Sequence, residues 1–318
     1  MGQLEHKLDV MHLAPYIKIA RLDHWFKQFF CLPGFVFGIA LYGHFSWSEL
    51  VRFSFAILLT CFIASANYVI NEWLDAPYDK FHPIKKNRPS VVGEIKFRGV
   101  LLEYIIFAAP TLIISWIYFP YTFSIILTFL LFMGIVYNVK PLRTKDLPYL
   151  DVLTESINNP IRFLLGWLCV IPMLPASSIL FSYWFGGAFL MAVKRYAEYR
   201  YINDSRAAGL YRSSFRHYNE IKLTIFAWIC ANLSSLFLGV FLIKYRPEFF
   251  LAFPFIAVLF GWYYYLGACE NSVVMNPEKL YREKLFMCYI IYLSLLFITL
   301  IMVDIPILNI LTKTLSFE

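Results

Sequence analysis

The sequence predicts an all-α protein, a multi-pass integral membrane bundle with nine transmembrane helices. Of its 318 residues, 60% are hydrophobic and only 15% are charged, and the mean hydropathy is +0.61. Soluble domains carry about 25% charged residues, so this composition excludes an ordinary soluble protein. The apolar content also excludes a disordered chain, and six cysteines are too few for a disulfide scaffold.

The number of helices follows from the long apolar stretches. One spanning helix takes about 20 apolar residues, so the chain has room for about nine spans and no sizeable soluble domain. We therefore expect residues 1–318 to form a single transmembrane domain, whose polar site lies in loops at about 72–98 and 200–221. The predicted spans are residues 25–43, 50–71, 98–117, 120–138, 149–171, 179–199, 221–243, 249–267 and 285–303.

The basic residues predict the orientation. Of 28 Lys and Arg residues, 23 fall before or at the start of the first span, or in the loops that join an even span to the next odd one and the span ends beside those loops. Only Arg52, Lys244, Arg246 and Lys313 fall on the opposite side, and Arg162 lies within a span. Positive charge marks cytoplasmic loops, so the plasma (inner) membrane protein is expected to present its charged groups to the cytoplasm. The net charge of +7 is interpreted by position, as topology or as a binding site, and it predicts no nucleic-acid partner.

A cluster of acids and amides lies at the end of the second span. Asn71 and Asp75 are four residues apart on one helical face, with Glu72 and Asp79 beside them. A charge in hydrocarbon costs about 2.5 to 3.5 kcal/mol, so these acids should face a hydrated cavity. Such oxygen ligands suit Mg²⁺, or Mn²⁺ in its place. All four residues are predicted metal ligands, and the three acids are the predicted catalytic residues. The alternative is a helix end solvated by interfacial water.

Pro77 and a basic run follow this cluster. Pro77 is predicted to end or kink the helix near Asp75, which would place Asp79 in the loop. Lys85 and Arg88 come soon afterwards and are predicted phosphate ligands. Acids for a metal beside bases for phosphates predict a diphosphate site.

The fifth span carries polar residues at helical spacing. Asp151, Glu155, Asn158, Arg162 and Gly166 fall within a sector of about 60° of one helix, which predicts a polar stripe along a cavity. The fork of Arg162 suits a phosphate or pyrophosphate oxygen. The alternative is a buried structural arginine that bonds to Asn158 or Glu155.

A third polar group lies at the end of the sixth span. Lys194 and Glu198 are four residues apart, with Arg195 and Tyr196 between them. Seven basic residues, including Arg212, lie between positions 194 and 222, more than topology requires. A plain helix-surface pair and contacts with anionic lipid headgroups are the alternatives.

These motifs resemble the UbiA superfamily of intramembrane transferases, all-helical bundles that use Mg²⁺ and a diphosphate donor. Asn71, Asp75 and Asp79 match the metal motif of that superfamily, while Glu72 replaces the usual aspartate. Most members have a second aspartate-rich motif after span six, where this chain has KRYAE at 194–198.

The KRYAE string resembles the decaprenyl-phosphate phosphoribosyltransferase branch of the superfamily. Further matches are Arg21, Trp25, Lys27, Lys140, residues 82–89, Asp151 and Arg162. The resemblance implies transfer of 5-phosphoribose from phosphoribosyl diphosphate to a polyprenyl phosphate, with release of pyrophosphate. It implies that substrates bind to Lys27, Asn71, Lys85, Arg88, Lys140, Asp151, Arg162, Lys194, Arg195, Tyr196, Glu198 and Arg212.

Two other functions remain open at this level. A prenyltransferase acting on an aromatic or lipid acceptor would need two acidic metal sites, and the second is missing. A transporter for an anionic solute could use the same polar stripes, but transporters often contain paired, broken helices. No such internal repeat is evident in the sequence.

Overall fold

The structure, a computed structural model, describes residues 13–42, 45–245, 247–270 and 272–311. Within these ranges the regular structure is helical, with no β-strand. A 3-10 helix, Leu22–Cys31, precedes the first labelled α-helix. Besides a helical stretch at residues 13–19 and the four-residue helix Pro89–Val92, the α-helices in chain order are α1 (Leu32–Tyr42), α2 (Trp47–Asp79), α3 (Phe97–Tyr118), α4 (Tyr121–Asn138), α5 (Leu150–Ser156), α6 (Asn158–Trp167), α7 (Ser177–Ile202), α8 (Ser205–Tyr211), α9 (Glu220–Tyr245), α10 (Phe253–Ala268), α11 (Lys284–Met302) and α12 (Pro306–Leu311).

The chain forms two compact units. The first comprises Met1–Leu174 and Ile202–Asn219, so the segment after α7 belongs with α1 to α6. The second comprises Pro175–Tyr201 and Glu220–Glu318. Three basic residues that enter the prediction of orientation, Lys7, Arg246 and Lys313, lie outside the described residues.

Membrane-spanning character is evident in several helices. Within the described ranges, five helical segments are long and apolar enough to cross a bilayer. The predicted all-helical membrane architecture is therefore confirmed, whereas the count of nine spans is not. The five segments are α2, α3, α4, α9 and Pro247–Ala268, and α11 contains a shorter apolar helix.

Helix α2 positions the predicted metal ligands, and it is the longest helix described, with 33 residues. Ser46 begins it with a capping box, in which Ser46 and Glu49 bond reciprocally to each other's backbone N–H groups. The predicted end of the helix near Asp75 is wrong, because α2 continues through Pro77 to Asp79, so Asp79 is a helical residue and does not lie in the loop. Pro77 lies in the last turn of α2, where its missing N–H removes the hydrogen bond to the carbonyl of Trp73, and the helix ends two residues after it.

The predicted fifth span is divided. α5 and α6 meet at Ile157, where the regular hydrogen bonding is interrupted although the backbone of this residue keeps helical angles (φ −61°, ψ −21°). Pro160 gives the physical reason, because its ring lacks an N–H and would clash with the carbonyl of Ser156 in a continuous helix.

Two glycines bring α6 against the start of α1. A Cβ on Gly166 would lie 1.9 Å from the carbonyl oxygen of Cys31, and one on Gly34 would lie 1.9 Å from that of Phe163. Only glycine allows the two backbones to approach this closely. Gly166 is therefore a packing residue here, which corrects its predicted place in a cavity wall.

Candidate active site

A small pocket in the first unit brings several predicted residues together. It is formed by the end of α2, the loop between α4 and α5, and Tyr211 and Arg212 in the middle of the segment 202–219. Of the predicted site residues, Asp75, Asp79 and Arg212 line it. The full lining is Asp75, Tyr78, Asp79, Arg143, Lys145, Asp146, Tyr211 and Arg212.

Asp75 accepts contacts from two cations. Arg143 Nη2 donates a 3.0 Å hydrogen bond to Asp75 Oδ1, and the ammonium of Lys145 forms an ion pair with the same oxygen. The Lys145 residue is only 3% exposed. Burial lowers the pKa of Lys145 to about 8, although the charge of Asp75 opposes this effect. The carboxylate of Asp75 is therefore bound by two basic side chains that could also bind a diphosphate.

Asp79 and Glu72 share one arginine. Arg88 Nη1 lies 2.6 Å from Asp79 Oδ2, and Arg88 Nε lies 3.6 Å from Glu72 Oε2. Burial acts to lower the pKa of Arg88, but the two carboxylates outweigh it and raise that pKa. Asp79 is 2% exposed and faces inward, because the unbroken helix keeps it one turn after Asp75. Glu72 does not line the pocket described above.

Asp151, a predicted substrate-binding residue, lies beneath the segment 202–219. Its carboxylate is fully buried and accepts hydrogen bonds from Tyr218 Oη at 2.6 Å and Ser214 Oγ at 3.2 Å. Arg212 Nη1 lies 3.7 Å from the same group and also donates a 3.2 Å hydrogen bond to Tyr137 Oη. Asp151 thus joins the segment 202–219 to the start of α5.

Lys85 and Lys140, two predicted substrate-binding lysines, lie at different places relative to the pocket. Lys85 donates a hydrogen bond to Tyr211 Oη and lies 4.6 Å from the centroid of that ring, next to the pocket. Lys140 is exposed and does not line the pocket.

Arg162 and Lys27 lie apart from the pocket lining. Arg162 is buried and donates hydrogen bonds of 2.9 Å to Gln28 Oε1 and 3.3 Å to Asn159 Oδ1. The side chain of Arg162 thus bonds to Gln28 and Asn159 instead of Asn158 or Glu155, the partners that the structural alternative predicted. Lys27 donates a 3.4 Å hydrogen bond to Tyr68 Oη.

The KRYAE residues belong to the second unit, on α7. Arg195 Nη1 and Glu198 Oε2 form a buried ion pair at 3.0 Å. Tyr196 Oη accepts a 3.4 Å hydrogen bond from Arg200, and its ring packs against Tyr264. Lys194 is partly exposed.

The donor set suits a divalent metal ion. Asp75 and Asp79 supply carboxylate oxygens to one pocket, at the carboxyl end of α2, where the helix dipole favours a cation. Hard oxygen ligands of this kind are those that Mg²⁺ prefers. In the structure the two carboxylates form ion pairs with basic side chains, Asp75 with Arg143 and Lys145, and Asp79 with Arg88.

Three residues that contribute to this arrangement were not predicted from the sequence. Arg143, Lys145 and Asn138 meet around Asp75 only in the folded chain. The dense string KPLRTKD at 140–146 was a usable signal, because three basic residues in a short loop exceed what orientation needs.

Comparisons with known proteins point to one family. The family model described as the UbiA prenyltransferase family matches residues 29–287. The decaprenyl-phosphate phosphoribosyltransferase of Mycolicibacterium smegmatis is 26% identical over 219 residues, covering 67% of this chain and 64% of that protein, just under two thirds. The protoheme IX farnesyltransferase of Oceanobacillus iheyensis is 24% identical over 288 residues, covering 87% of this chain and 85% of that protein.

Solved structures agree on the fold. A UbiA homolog from Archaeoglobus fulgidus bound to GPP and Mg²⁺ has a TM-score of 0.65 at 19% identity, covering 88% of this chain and 99% of that one. The homolog bound to Cd²⁺ has a TM-score of 0.63 at 18% identity, covering 91% and 100% of the two chains. At such identities the likeness concerns the fold alone.

Proposed function

Because this chain belongs to the UbiA prenyltransferase family, we propose that it is a membrane-embedded, Mg²⁺-dependent transferase that moves 5-phosphoribose from phosphoribosyl diphosphate to a polyprenyl phosphate. Pyrophosphate is the other product. The observation that carries this proposal is the pocket in which Asp75 and Asp79 lie among Arg143, Lys145 and Arg212. Acids and bases are both needed where a metal and several phosphates meet.

Each part of the pocket has a role in this proposal. Asp75 and Asp79, with Asn71 and Glu72 beside them, would hold Mg²⁺, which when bound neutralises charge on the leaving diphosphate. Arg143, Lys145 and Arg212 bind phosphate oxygens and fix the orientation of the donor. The acceptor phosphate is already an anion, so the reaction needs no strong general base.

Other residues contribute to substrate binding in this proposal. Their support is the branch resemblance and the similarity to the mycobacterial phosphoribosyltransferase. Asp151 acts through the segment 202–219 that it anchors. The proposed substrate-binding residues outside the pocket lining are Lys27, Lys85, Arg88, Lys140, Arg162, Lys194, Arg195, Tyr196 and Glu198.

The proposed setting is the plasma (inner) membrane, with nine spans, one transferase domain and an active site open to the cytoplasm. The 23 to 4 division of basic residues supports this orientation. A cytoplasmic site gives a water-soluble phosphorylated sugar direct access, while the acceptor remains in lipid.

A prenyltransferase is the second candidate. The similarity to a farnesyltransferase, which covers 85% of that protein, favours it. Against it, the segment 194–198 carries Lys194, Arg195 and one acid, Glu198, where a second aspartate-rich motif would be expected. The transporter alternative loses its support, since the chain is a member of a transferase family.

One assay separates the two candidates. Full-length protein in detergent, supplied with Mg²⁺ and phosphoribosyl diphosphate, should release pyrophosphate only when polyprenyl phosphate is added. An Asp75→Asn variant serves as the inactive control, and farnesyl diphosphate replaces the donor in a parallel reaction. Turnover of farnesyl diphosphate with an aromatic acceptor, without turnover of phosphoribosyl diphosphate, would overturn the proposal in favour of a prenyltransferase.

A further inference from the structure

Asn138, the last residue of α4, lies at the centre of the contacts around Asp75. Its side-chain oxygen accepts hydrogen bonds from Lys145 Nζ, at 2.7 Å, and from Asn71 Nδ2. Its backbone oxygen accepts a 2.9 Å hydrogen bond from Arg143 Nη1. Both cations that contact Asp75 therefore also bond to this one residue.

The orientation of the Asn138 amide is fixed from the other side. Its Nδ2 donates a 2.9 Å hydrogen bond to the carbonyl oxygen of Gly134, one turn earlier in α4. Since the nitrogen is committed to this carbonyl, the oxygen must point towards Lys145 and Asn71. Asn138 is 3% exposed, so water does not compete for these bonds.

From these contacts we infer that Asn138 is a positioning residue for the phosphate-binding cations Lys145 and Arg143. The inference rests on the proposed function. Asn138 contacts the cations and not the carboxylate of Asp75, so its bonds persist when Asp75 exchanges those cations for a metal ion. The ammonium and guanidinium then stay in the pocket, where the leaving diphosphate needs them.

Arg143 shows why such a support is required. Its backbone has a positive φ of 28°, a conformation that is unfavourable for a residue with a side chain. Asp146 Oδ2 accepts a 2.9 Å hydrogen bond from Arg143 Nε and, with Asn138, holds the guanidinium on two sides. The loop is thus fixed by its hydrogen bonds rather than by backbone preference.

The test measures binding of Mg²⁺-pyrophosphate to full-length protein in detergent, together with the thermal midpoint. Asn138→Leu keeps the side-chain shape and the backbone oxygen but removes the acceptor of Lys145, so pyrophosphate should bind roughly tenfold to a hundredfold more weakly. Asn67→Leu is the matched control. It removes an amide hydrogen bond of 3.0 Å between α2 and α4, to Leu130 O, that involves no cation.

A double variant tests whether Asn138 acts through Lys145. Asn138→Leu combined with Lys145→Met should bind pyrophosphate no more weakly than Lys145→Met alone. If Asn138→Leu does not fold, Asn138→Ser replaces it, because its hydroxyl is one heavy atom shorter than the amide oxygen and the same loss is expected.

The outcomes are distinct. Wild-type affinity in Asn138→Leu, an equal loss in Asn67→Leu, or additive losses in the double variant would each overturn the positioning role. If the wild-type protein itself fails to bind Mg²⁺-pyrophosphate, the proposed function fails instead.

Discussion

Tyr218 donates a 2.6 Å hydrogen bond to Asp151, whose side chain is fully buried. The two residues are 67 positions apart, and this bond ties the segment 202–219 to the amino-terminal turn of α5. Ser214 and Arg212 approach the same carboxylate. The position of Arg212 at the pocket therefore depends on a carboxylate that lies beneath the segment.

Tyr218→Phe should loosen this segment without unfolding the protein. It leaves a buried carboxylate oxygen without its donor, at a cost of about 1 to 3 kcal/mol. Trypsin should then cleave after the exposed residues Arg206 and Arg216 roughly tenfold faster. Tyr281→Phe, a change at an exposed tyrosine, is the control. Equal cleavage rates in all three proteins would contradict the anchoring role of Asp151.

Asp75→Asn should abolish turnover and also lower stability. The change removes a predicted metal ligand and leaves the buried ammonium of Lys145 without its carboxylate, which should cost about 1 to 3 kcal/mol. Adding Lys145→Met should recover part of this loss, because the uncompensated charge disappears with it. Thermal unfolding of the wild type, both single variants and the double variant measures the coupling. Additive effects would show that the ion pair does not stabilise the fold.

Arg162→Met should destabilise the protein through Gln28. The variant leaves the buried oxygen of Gln28 without its donor, at a cost of about 1 to 3 kcal/mol. Gln28→Leu in the same background should recover much of this, since both polar groups are then gone. The readout is the thermal midpoint in detergent, compared with each single variant. A double variant as unstable as the sum of the two would argue against this pairing.

Lys194→Ala tests the branch assignment. If this lysine binds a donor phosphate, its loss should reduce kcat/KM about tenfold to more than a hundredfold, with partial recovery at high donor concentration. Lys244→Ala, at the far end of α9, is a control for the loss of one positive charge. Equal affinity of wild type and Lys194→Ala for phosphoribosyl diphosphate with Mg²⁺ would favour the prenyltransferase alternative.

Cysteine labelling tests the orientation. In a background with Cys269 and Cys288 replaced by serine, because both are exposed, an impermeant reagent should label Lys244→Cys on intact cells. Arg206→Cys should react only after the membrane is opened, since its loop is expected in the cytoplasm. The reverse pattern would require the opposite topology.

The hydropathy and spacing of neighbouring residues predicted many of the helices, whereas the composition of the pocket depends on contacts between distant parts of the chain. The apolar windows located α2, α3, α4 and α9 closely, because hydropathy reflects burial and lipid contact directly. Periodicity alone extended the fifth span through Pro160, a residue that should have indicated the break. Sequence spacing grouped Asp75 with Asp79, and both residues line the pocket.

The roles of Asn138 and Asp151 could not be read in the same way. Asn138 belongs to an apolar helix, and its importance comes from Lys145 and Asn71, which reach it from separate parts of the chain. Asp151 has the right chemistry for a substrate ligand, and only the buried partners Tyr218 and Ser214 reveal its use as an anchor.

The length of α2 determines where the chemistry takes place. Its 33 residues extend about 50 Å, whereas the hydrocarbon layer is about 30 Å thick, so a helix perpendicular to the membrane would extend about 20 Å beyond the acyl chains. The residues from Asn71 to Asp79 occupy the carboxyl end of this helix. In the proposed reaction, the pocket therefore lies at the interface between water and the lipid bilayer. A sugar dissolved in water and a lipid confined to one leaflet can meet there without either leaving its own phase, and the product remains anchored in the leaflet from which its acceptor came.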